Sequence, residues 1–222
     1  MQSDIQPFLK QFNLQRRHCI ALLATTGCGG AFASSARAST VLILGDSLSA
    51  EYGLRRASGW VALLETKLKL EKPNVEVVNA SISGDTTSGG RSRLGSLLSL
   101  HKPGVVVIEL GGNDALRGLP LAMTQENLSA MTQAAQQAGA RVLLLGMQVP
   151  PNYGKDYSQR FAQMYADVAR TQKAAWVRFF LKGVADVPDN SALFQADRIH
   201  PTELAQPLLL ANVWPEIKRL LP

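Results

Sequence analysis

The chain has 222 residues, 46% of them hydrophobic and 18% charged, and its formal net charge at pH 7 is +6. Its basic residues are spread along the sequence without a dense basic stripe, which argues against a nucleic-acid-binding protein. Both cysteines, Cys19 and Cys28, lie near the N-terminus, and no group of histidines, cysteines and carboxylates has metal-ligand spacing. We therefore expect the folded domain to have no cysteine nucleophile, no disulfide and no metal site.

The first 38 residues have the features of a cleaved signal peptide. The start is basic, residues 19–33 are uncharged and apolar, and Ala36-Arg37-Ala38 fits the small-x-small pattern that precedes a cleavage site. Removal of this segment takes away four basic residues and one acidic residue, so the net charge falls to +3. We predict a signal peptide over residues 1–38 and a single domain over 39–222, in the periplasm of a bacterium or secreted from it.

Other interpretations of this segment stay open. It can be an N-terminal helix packed on the domain, or Cys28 can carry a lipid anchor, because Gly27-Cys28 follows an apolar run. The pair Arg16-Arg17 is compatible with twin-arginine export. The apolar run is too short and too rich in glycine for a stable membrane span.

Strand-like and helix-like segments alternate through residues 39–222. Short runs of Val, Ile and Leu predict strands that are buried on both faces of a parallel sheet, and the stretches between them have helical spacing. The predicted strands are 41–44, 75–78, 105–110 and 142–145, with a weaker one near 176–180, and the predicted helices are 59–70, 87–100, 124–138, 161–171 and 203–220. This alternation predicts a three-layer α/β domain whose active site lies beyond the carboxyl ends of the strands.

Ser47 follows the first predicted strand by three residues. Gly45 allows a sharp turn there, and the Ser47 N–H can then point at a developing oxyanion. A serine in this position is also a common helix cap, and Gly-Asp-Ser-Leu is short enough to occur by chance. Ser47 alone is therefore a weak candidate nucleophile.

His200 strengthens that candidate. Only two histidines occur in residues 39–222, and the other, His101, precedes a turn and a strand. Asp197 lies three residues before His200 and can place its carboxylate on the imidazole Nδ1, which fixes the tautomer and stabilises the imidazolium. The alternative is an isolated loop acid beside a surface histidine. Ser47, His200 and Asp197 together supply the nucleophile, base and orienting acid of serine acyl-transfer chemistry.

Two further loops follow predicted strands at the same end of the sheet. Gly84 has no Cβ, so its N–H can approach a substrate oxygen closely, and Asn113 can donate its side-chain amide to the same oxygen. With the Ser47 N–H they would form an oxyanion hole. Alternatively, Gly84 is an ordinary turn glycine and Asn113 a left-handed loop residue.

These motifs resemble, in order, the four sequence blocks of the SGNH (GDSL) hydrolases. The matching segments are Gly45-Asp46-Ser47-Leu48, Gly84, Gly111-Gly112-Asn113-Asp114 and Asp197-x-x-His200-Pro201. The chain is most similar to the bacterial periplasmic subgroup of acyl-CoA thioesterase I, lysophospholipase L1 and arylesterase. The resemblance implies a flavodoxin-like three-layer α/β/α sandwich with a central parallel sheet. It also implies that Ser47, Asp197 and His200 are catalytic, and that Ser47, Gly84 and Asn113 form the oxyanion hole.

The implied activity is hydrolysis of small-molecule acyl esters or thioesters, without a cofactor, by a monomer that has no stable membrane span. A carbohydrate acetylesterase and a non-catalytic binding protein on the same fold stay open as alternatives. Relatives often have glycine at position 198, where this chain has Arg198. A cation there is expected to narrow the mouth of the site or to attract anionic acyl donors.

Several neighbouring residues are assigned by position. Asp46, beside Ser47, is expected to hold the loop and not to contact the histidine. The rim is expected to include Asp85, Thr86, Asp114 and Arg117. Residues 115–121 are predicted to be either a flap over the acyl chain or an ordinary loop. Residues 147–153 and 187–194 are candidate walls of an acyl groove.

Overall fold

The structure is a computed structural model and describes residues 39–222, so the predicted signal peptide and both cysteines lie outside the described residues. The strands are β1 (Ser39–Gly45), β2 (Val75–Asn79), β3 (Val105–Glu109), β4 (Arg141–Leu145) and β5 (Ala175–Val177). The α-helices are α1 (Trp60–Glu71), α2 (Thr87–His101), α3 (Gly112–Leu116), α4 (Leu121–Gln137), α5 (Lys155–Gln172) and α6 (Gln206–Leu220). Short 3₁₀ turns lie at Pro151–Tyr153, Ser191–Leu193 and Glu203–Ala205.

The five strands form one parallel sheet in the order β2-β1-β3-β4-β5. Helices α1 and α6 pack together on one face, and α2, α4 and α5 pack on the other. This confirms the predicted flavodoxin-like three-layer α/β/α sandwich. The chain moves outward from β1 to β2 and then returns to β3 on the other side of β1, so the topological switch point lies between β1 and β3.

The central strands form the middle of the core because they are apolar on both faces. Residues 41–44 of β1 and 105–108 of β3 have no exposed surface. The helices contribute one buried stripe each, and in α1 this stripe includes Trp60, Leu64 and Leu68. The Trp60 ring also meets Phe180 edge-on, with 5.5 Å between ring centroids.

The observed elements differ from the predicted ones at several boundaries, and most clearly in three places. Helix α5 begins at Lys155, six residues before the predicted start, because its first turns are mostly exposed and carry little apolar signal. The predicted helix 203–220 is a 3₁₀ turn followed by α6. Residues 112–116, predicted as loop, form the short helix α3, which follows β3 almost directly.

Among residues 39–222, none of the helices has the length and apolar character needed to cross a bilayer.

We predict that Leu64→Ala lowers the free energy of unfolding by about 2–5 kcal/mol, because it removes a fully buried side chain and leaves a cavity beneath α1. Urea denaturation of the full chain measures the change. Leu70→Ala is the matched control: Leu70 lies on the same helix but is 82% exposed, so the same substitution should change stability by less than about 0.5 kcal/mol. Equal losses in the two variants would contradict the assigned faces of α1.

Candidate active site

Ser47 lies in a tight turn that follows β1 directly. A Cβ on Gly45 would lie 2.9 Å from both Glu109 Oε2 and Ser49 Cβ, so only glycine fits at the end of the strand. The turn is closed by hydrogen bonds from the Ala50 N–H to the Asp46 carbonyl (2.9 Å) and from the Tyr52 N–H to the Ser47 carbonyl (3.3 Å). The helix-cap interpretation of Ser47 is wrong, because the next helix does not begin until Trp60.

The structure brings Ser47, His200 and Asp197 together. Ser47 Oγ lies 2.9 Å from His200 Nε2, and His200 Nδ1 lies 2.6 Å from Asp197 Oδ2. The other Asp197 oxygen accepts the N–H groups of Ile199 (2.9 Å) and His200 (3.0 Å). These bonds, led by the His200 N–H, lower the pKa of Asp197 to about 2. Asp197 therefore stays ionised throughout the range in which a histidine titrates.

The loop that carries His200 is closed on itself and fastened to the turn after β1. Phe194 and Pro201 form an isolated antiparallel bridge, and the Gln195 N–H donates to the His200 carbonyl at 2.8 Å. Gln195 Nε2 donates to the Tyr52 carbonyl at 2.9 Å. The Tyr52 ring packs against the imidazole, with 4.3 Å between centroids. Sequence spacing gives no signal for Tyr52 or Gln195, since both act through contacts across the chain.

Asn113 lies in α3, beside the turn that carries Ser47. Its Nδ2 donates to Asp46 Oδ2 at 3.0 Å, and the same carboxylate accepts the Leu48 N–H at 3.1 Å. Because an amide nitrogen carries two protons, the second N–H of Asn113 is available to another acceptor. Asp46 thus contacts the neighbouring loops, whereas the acid hydrogen-bonded to His200 is Asp197.

Gly84 lies in the loop after β2 and has a left-handed conformation, with φ of 79°. Its carbonyl accepts a hydrogen bond of 2.7 Å from Arg117, which follows α3, so this loop is tied to the helix that carries Asn113. No hydrogen bond joins Gly84 and Ser47 within residues 39–222. Within that range, neither of their N–H groups has a hydrogen-bond partner.

The residues assigned to the rim divide into exposed and buried ones. Arg117 is exposed, as expected, and Asp85 forms an ion pair of 2.8 Å with Arg93 of α2. The prediction for Asp114 is wrong, because this side chain is fully buried. It accepts the Thr87 N–H at 2.9 Å, the Thr87 hydroxyl, and the Thr124 hydroxyl at 3.2 Å. Asp114 therefore anchors α3 to the first turns of α2 and α4.

A cavity of about 760 Å³ opens beside Ser47, Asn113 and His200. Its wall is largely apolar and includes Leu116, Met147, Val149, Phe179, Leu181 and Phe194. Both predicted wall segments contribute to it. Arg198 also lines the cavity and has a left-handed φ of 56°, a conformation that glycine adopts without strain. A larger cavity of about 930 Å³, around Arg141 at the start of β4, contains none of the predicted site residues.

Comparison with known proteins gives one consistent result. The model of the GDSL-like Lipase/Acylhydrolase family matches residues 43–206. The chain is 52% identical over 203 residues to esterase TesA of Pseudomonas aeruginosa, covering 91% of this chain and 96% of that protein. It is 41% identical over 175 residues to thioesterase 1/protease 1/lysophospholipase L1 of Escherichia coli K12, covering 79% and 81%. A crystal structure of TesA matches with a TM-score of 0.79 and 54% identity, covering 82% of this chain and 100% of that one.

We predict that Asp114→Ala lowers the free energy of unfolding by about 2–4 kcal/mol, because it leaves the buried N–H and hydroxyl of Thr87 without an acceptor and leaves Thr124 only a 3.5 Å bond to the Pro120 carbonyl. Chemical denaturation measures the loss. Asp156→Ala is the control, since Asp156 is exposed and its bond to Arg160 is 3.4 Å long, so the change should stay below about 0.5 kcal/mol. An Asp114→Ala protein as stable as the control would show that these donors find other partners.

Proposed function

Because the chain belongs to the GDSL-like lipase/acylhydrolase family, we propose that it is a serine hydrolase that cleaves acyl esters or thioesters through an acyl-enzyme on Ser47. One observation carries this proposal: Ser47 Oγ, His200 and Asp197 are joined by hydrogen bonds of 2.9 and 2.6 Å at the edge of an apolar cavity. Neither the hydroxyl nor the imidazole needs to move far for proton transfer between them.

The proposed acylation step begins with attack of Ser47 Oγ on the carbonyl carbon of the substrate. The hydroxyl proton passes to His200 Nε2, and the carboxylate of Asp197 stabilises the imidazolium that results. When the tetrahedral intermediate collapses, the bond to the alcohol or thiol breaks, and His200 gives the proton to the leaving oxygen or sulfur. Water then repeats the sequence: His200 takes its proton, the hydroxide attacks the acyl carbon, and Ser47 leaves with the proton returned.

The proposed oxyanion hole consists of the N–H groups of Ser47 and Gly84 and the second N–H of Asn113. In support, Asn113 Nδ2 donates one of its N–H groups to Asp46 Oδ2 at 3.0 Å, so the direction of the other N–H is fixed before substrate binds. Arg117 holds the Gly84 carbonyl at 2.7 Å and so sets the orientation of that loop. Donors that are already oriented need no reorganisation when negative charge develops on the substrate oxygen.

We propose medium-to-long acyl or aryl esters and thioesters as the substrate class. The largely apolar wall of the cavity supports this choice, because it offers an acyl chain more contact than an acetyl group can use. Arg198 at the same cavity would favour donors with an anionic leaving group, such as a phosphate-bearing alcohol or thiol. An acetylesterase acting on carbohydrates is the alternative within the same chemistry.

We propose that residues 1–38 direct export to the periplasm or out of the cell and are then removed. The single domain of residues 39–222 would act there as a monomer on small-molecule substrates.

We predict that Ser47→Ala abolishes hydrolysis of p-nitrophenyl esters and that Asn113→Ala lowers kcat on the order of 10²–10³-fold, because an oxyanion donor is lost. Steady-state kinetics on the purified protein measure both changes. Asn152→Ala, outside the cavity lining, is the control and should keep wild-type kcat. Hydrolysis that survives Ser47→Ala would contradict the proposed nucleophile, and a folded wild type without any turnover would favour the non-catalytic binding protein.

We predict that Val149→Trp lowers kcat/KM for octanoyl and longer p-nitrophenyl esters by about tenfold or more, because the larger side chain fills part of the cavity. Acetyl ester hydrolysis should change by less than about threefold, since a short acyl group does not need that space. Val149→Ala is the matched variant and should keep the preference for long chains. A wild type that prefers acetyl esters, with the same preference in both variants, would support the acetylesterase.

A further inference from the structure

Glu109 is an ionisable residue at the end of an otherwise apolar strand. It is the last residue of β3 and is 1% exposed. Its Oε2 accepts the Ser49 hydroxyl at 2.8 Å and the Asp46 N–H at 3.3 Å. It does not line the cavity beside Ser47, so the reaction proposed above leaves it without a role. Burial of a carboxyl group costs free energy, so the position of Glu109 calls for a physical explanation.

The Glu109 and Asp46 carboxyl groups are neighbours, and each affects the pKa of the other. Burial raises the pKa of Asp46 to about 6, against the lowering effect of its hydrogen bonds and of His200. Burial, followed by the nearby charge of Asp46, raises the pKa of Glu109 well above its usual range. Two buried carboxyl groups so close together cannot both ionise cheaply, so burial favours one shared proton over two negative charges.

This arrangement forms a continuous line of hydrogen bonds beneath the site. Trp60 Nε1 donates to Ser49 Oγ at 3.1 Å, and Ser49 donates to Glu109. Glu109 also accepts the Asp46 N–H at 3.3 Å, and the Asp46 carboxylate accepts from Leu48 and Asn113. The members from Trp60 to Asp46 are buried, and Asn113, at the edge of the cavity, is half-buried.

We propose that Glu109 is a positioning residue for this reaction: as a hydrogen-bond donor it fixes the Asp46 carboxylate, which in turn orients the Asn113 amide and the turn that carries Ser47. The inference rests on the proposed function. Glu109 itself touches neither the cavity nor the Ser47–His200 pair. Its loss should therefore lower kcat and leave KM nearly unchanged.

The pair has a defined response to pH. At pH values above the ordinary pKa range of carboxyl groups, Asp46 and Glu109 have lost both protons in the unfolded chain, whereas the folded protein keeps one or more. The stabilising effect of this protonation is thus complete at low pH and is lost as pH rises through the folded-state values of Asp46 and Glu109. Removal of the last shared proton would place two negative charges in contact beneath Asn113, so kcat should fall on the alkaline side.

The other charged or titratable groups that face the pair come from four neighbouring elements. His200, in the loop before α6, lowers the pKa of Asp46. Tyr165 of α5 lies near Glu109, and its hydroxyl donates to the Leu110 carbonyl at 2.9 Å. The charge of Asp114 in α3 contributes to the raised pKa of Tyr165. From α2, Arg93 reaches the Gly45 carbonyl at 3.4 Å. Each of these groups is retained in the Glu109 variants. A difference between their pH profiles and that of the wild type is therefore due to the shared proton.

The test compares the full-chain wild type with Glu109→Gln and Glu109→Ala, using p-nitrophenyl butyrate over about pH 5–10. Glutamine is the isosteric donor that cannot lose its proton. Glu109→Gln should keep kcat within about threefold at neutral pH and should lack the alkaline fall or move it up by about one pH unit or more. Its melting temperature should also depend less on pH. Glu109→Ala should lower kcat about 10–100-fold with KM within about twofold.

A control variant makes the outcome decisive. Glu126→Gln makes the same chemical change at an exposed site on α4 and should leave the kinetic and thermal pH profiles unchanged. If Glu109→Ala does not fold, the test rests on whether the kcat of Glu109→Gln falls at alkaline pH. The positioning role would be overturned if the kcat of Glu109→Gln fell at alkaline pH as in the wild type. A folded Glu109→Ala protein with wild-type kcat would also overturn it. If wild-type turnover does not depend on Ser47, the proposed function fails and the positioning role fails with it.

Discussion

The carboxylate of Asp46 is the contact on which the rest of the site depends. It follows β1 directly and accepts hydrogen bonds from Leu48, within the turn that presents Ser47, and from Asn113 of α3. These two segments meet because β1 and β3 are adjacent parallel strands at the switch point of the sheet. A charge buried to this degree is tolerable only when hydrogen-bond donors occupy its acceptor sites. The hydrogen bonds that satisfy Asp46 are the same ones that hold the site together.

The base reaches this edge of the sheet from the far end of the domain. Ser47 and His200 are 153 residues apart in the chain, and their bond needs support from the segments that flank them. That support comes from several links between residues 52–60 and the segment 195–206. Gln195 binds the Tyr52 carbonyl, Glu203 binds Arg55 at 2.8 Å, and Gln206 accepts the Trp60 N–H at 3.0 Å. The position of the imidazole is therefore fixed by tertiary contacts on both sides of the pair.

The sequence was sufficient to predict the fold class and to select Ser47, Asp197, His200, Gly84 and Asn113 as candidates. The central strands are continuous apolar runs, and few histidines compete for the role of base, so both signals are strong. Helix α3 was missed because five residues are too few for helical periodicity to appear. Asp114 and Glu109 were misread or passed over for a different reason. Their burial depends on partners such as Thr87 and Ser49, which lie 27 and 60 residues away in the chain.

The measurement that tests the central claim most directly is labelling of the full chain with an alkyl p-nitrophenyl phosphonate, read by intact-protein and peptide mass spectrometry. We predict one phosphonyl group per chain on the peptide that contains Ser47, with release of p-nitrophenol, and strongly reduced labelling in His200→Ala, which retains the hydroxyl but lacks the base. No covalent adduct on the folded wild type, or an adduct on another residue that persists in Ser47→Ala, would contradict the assignment of Ser47 as an activated nucleophile.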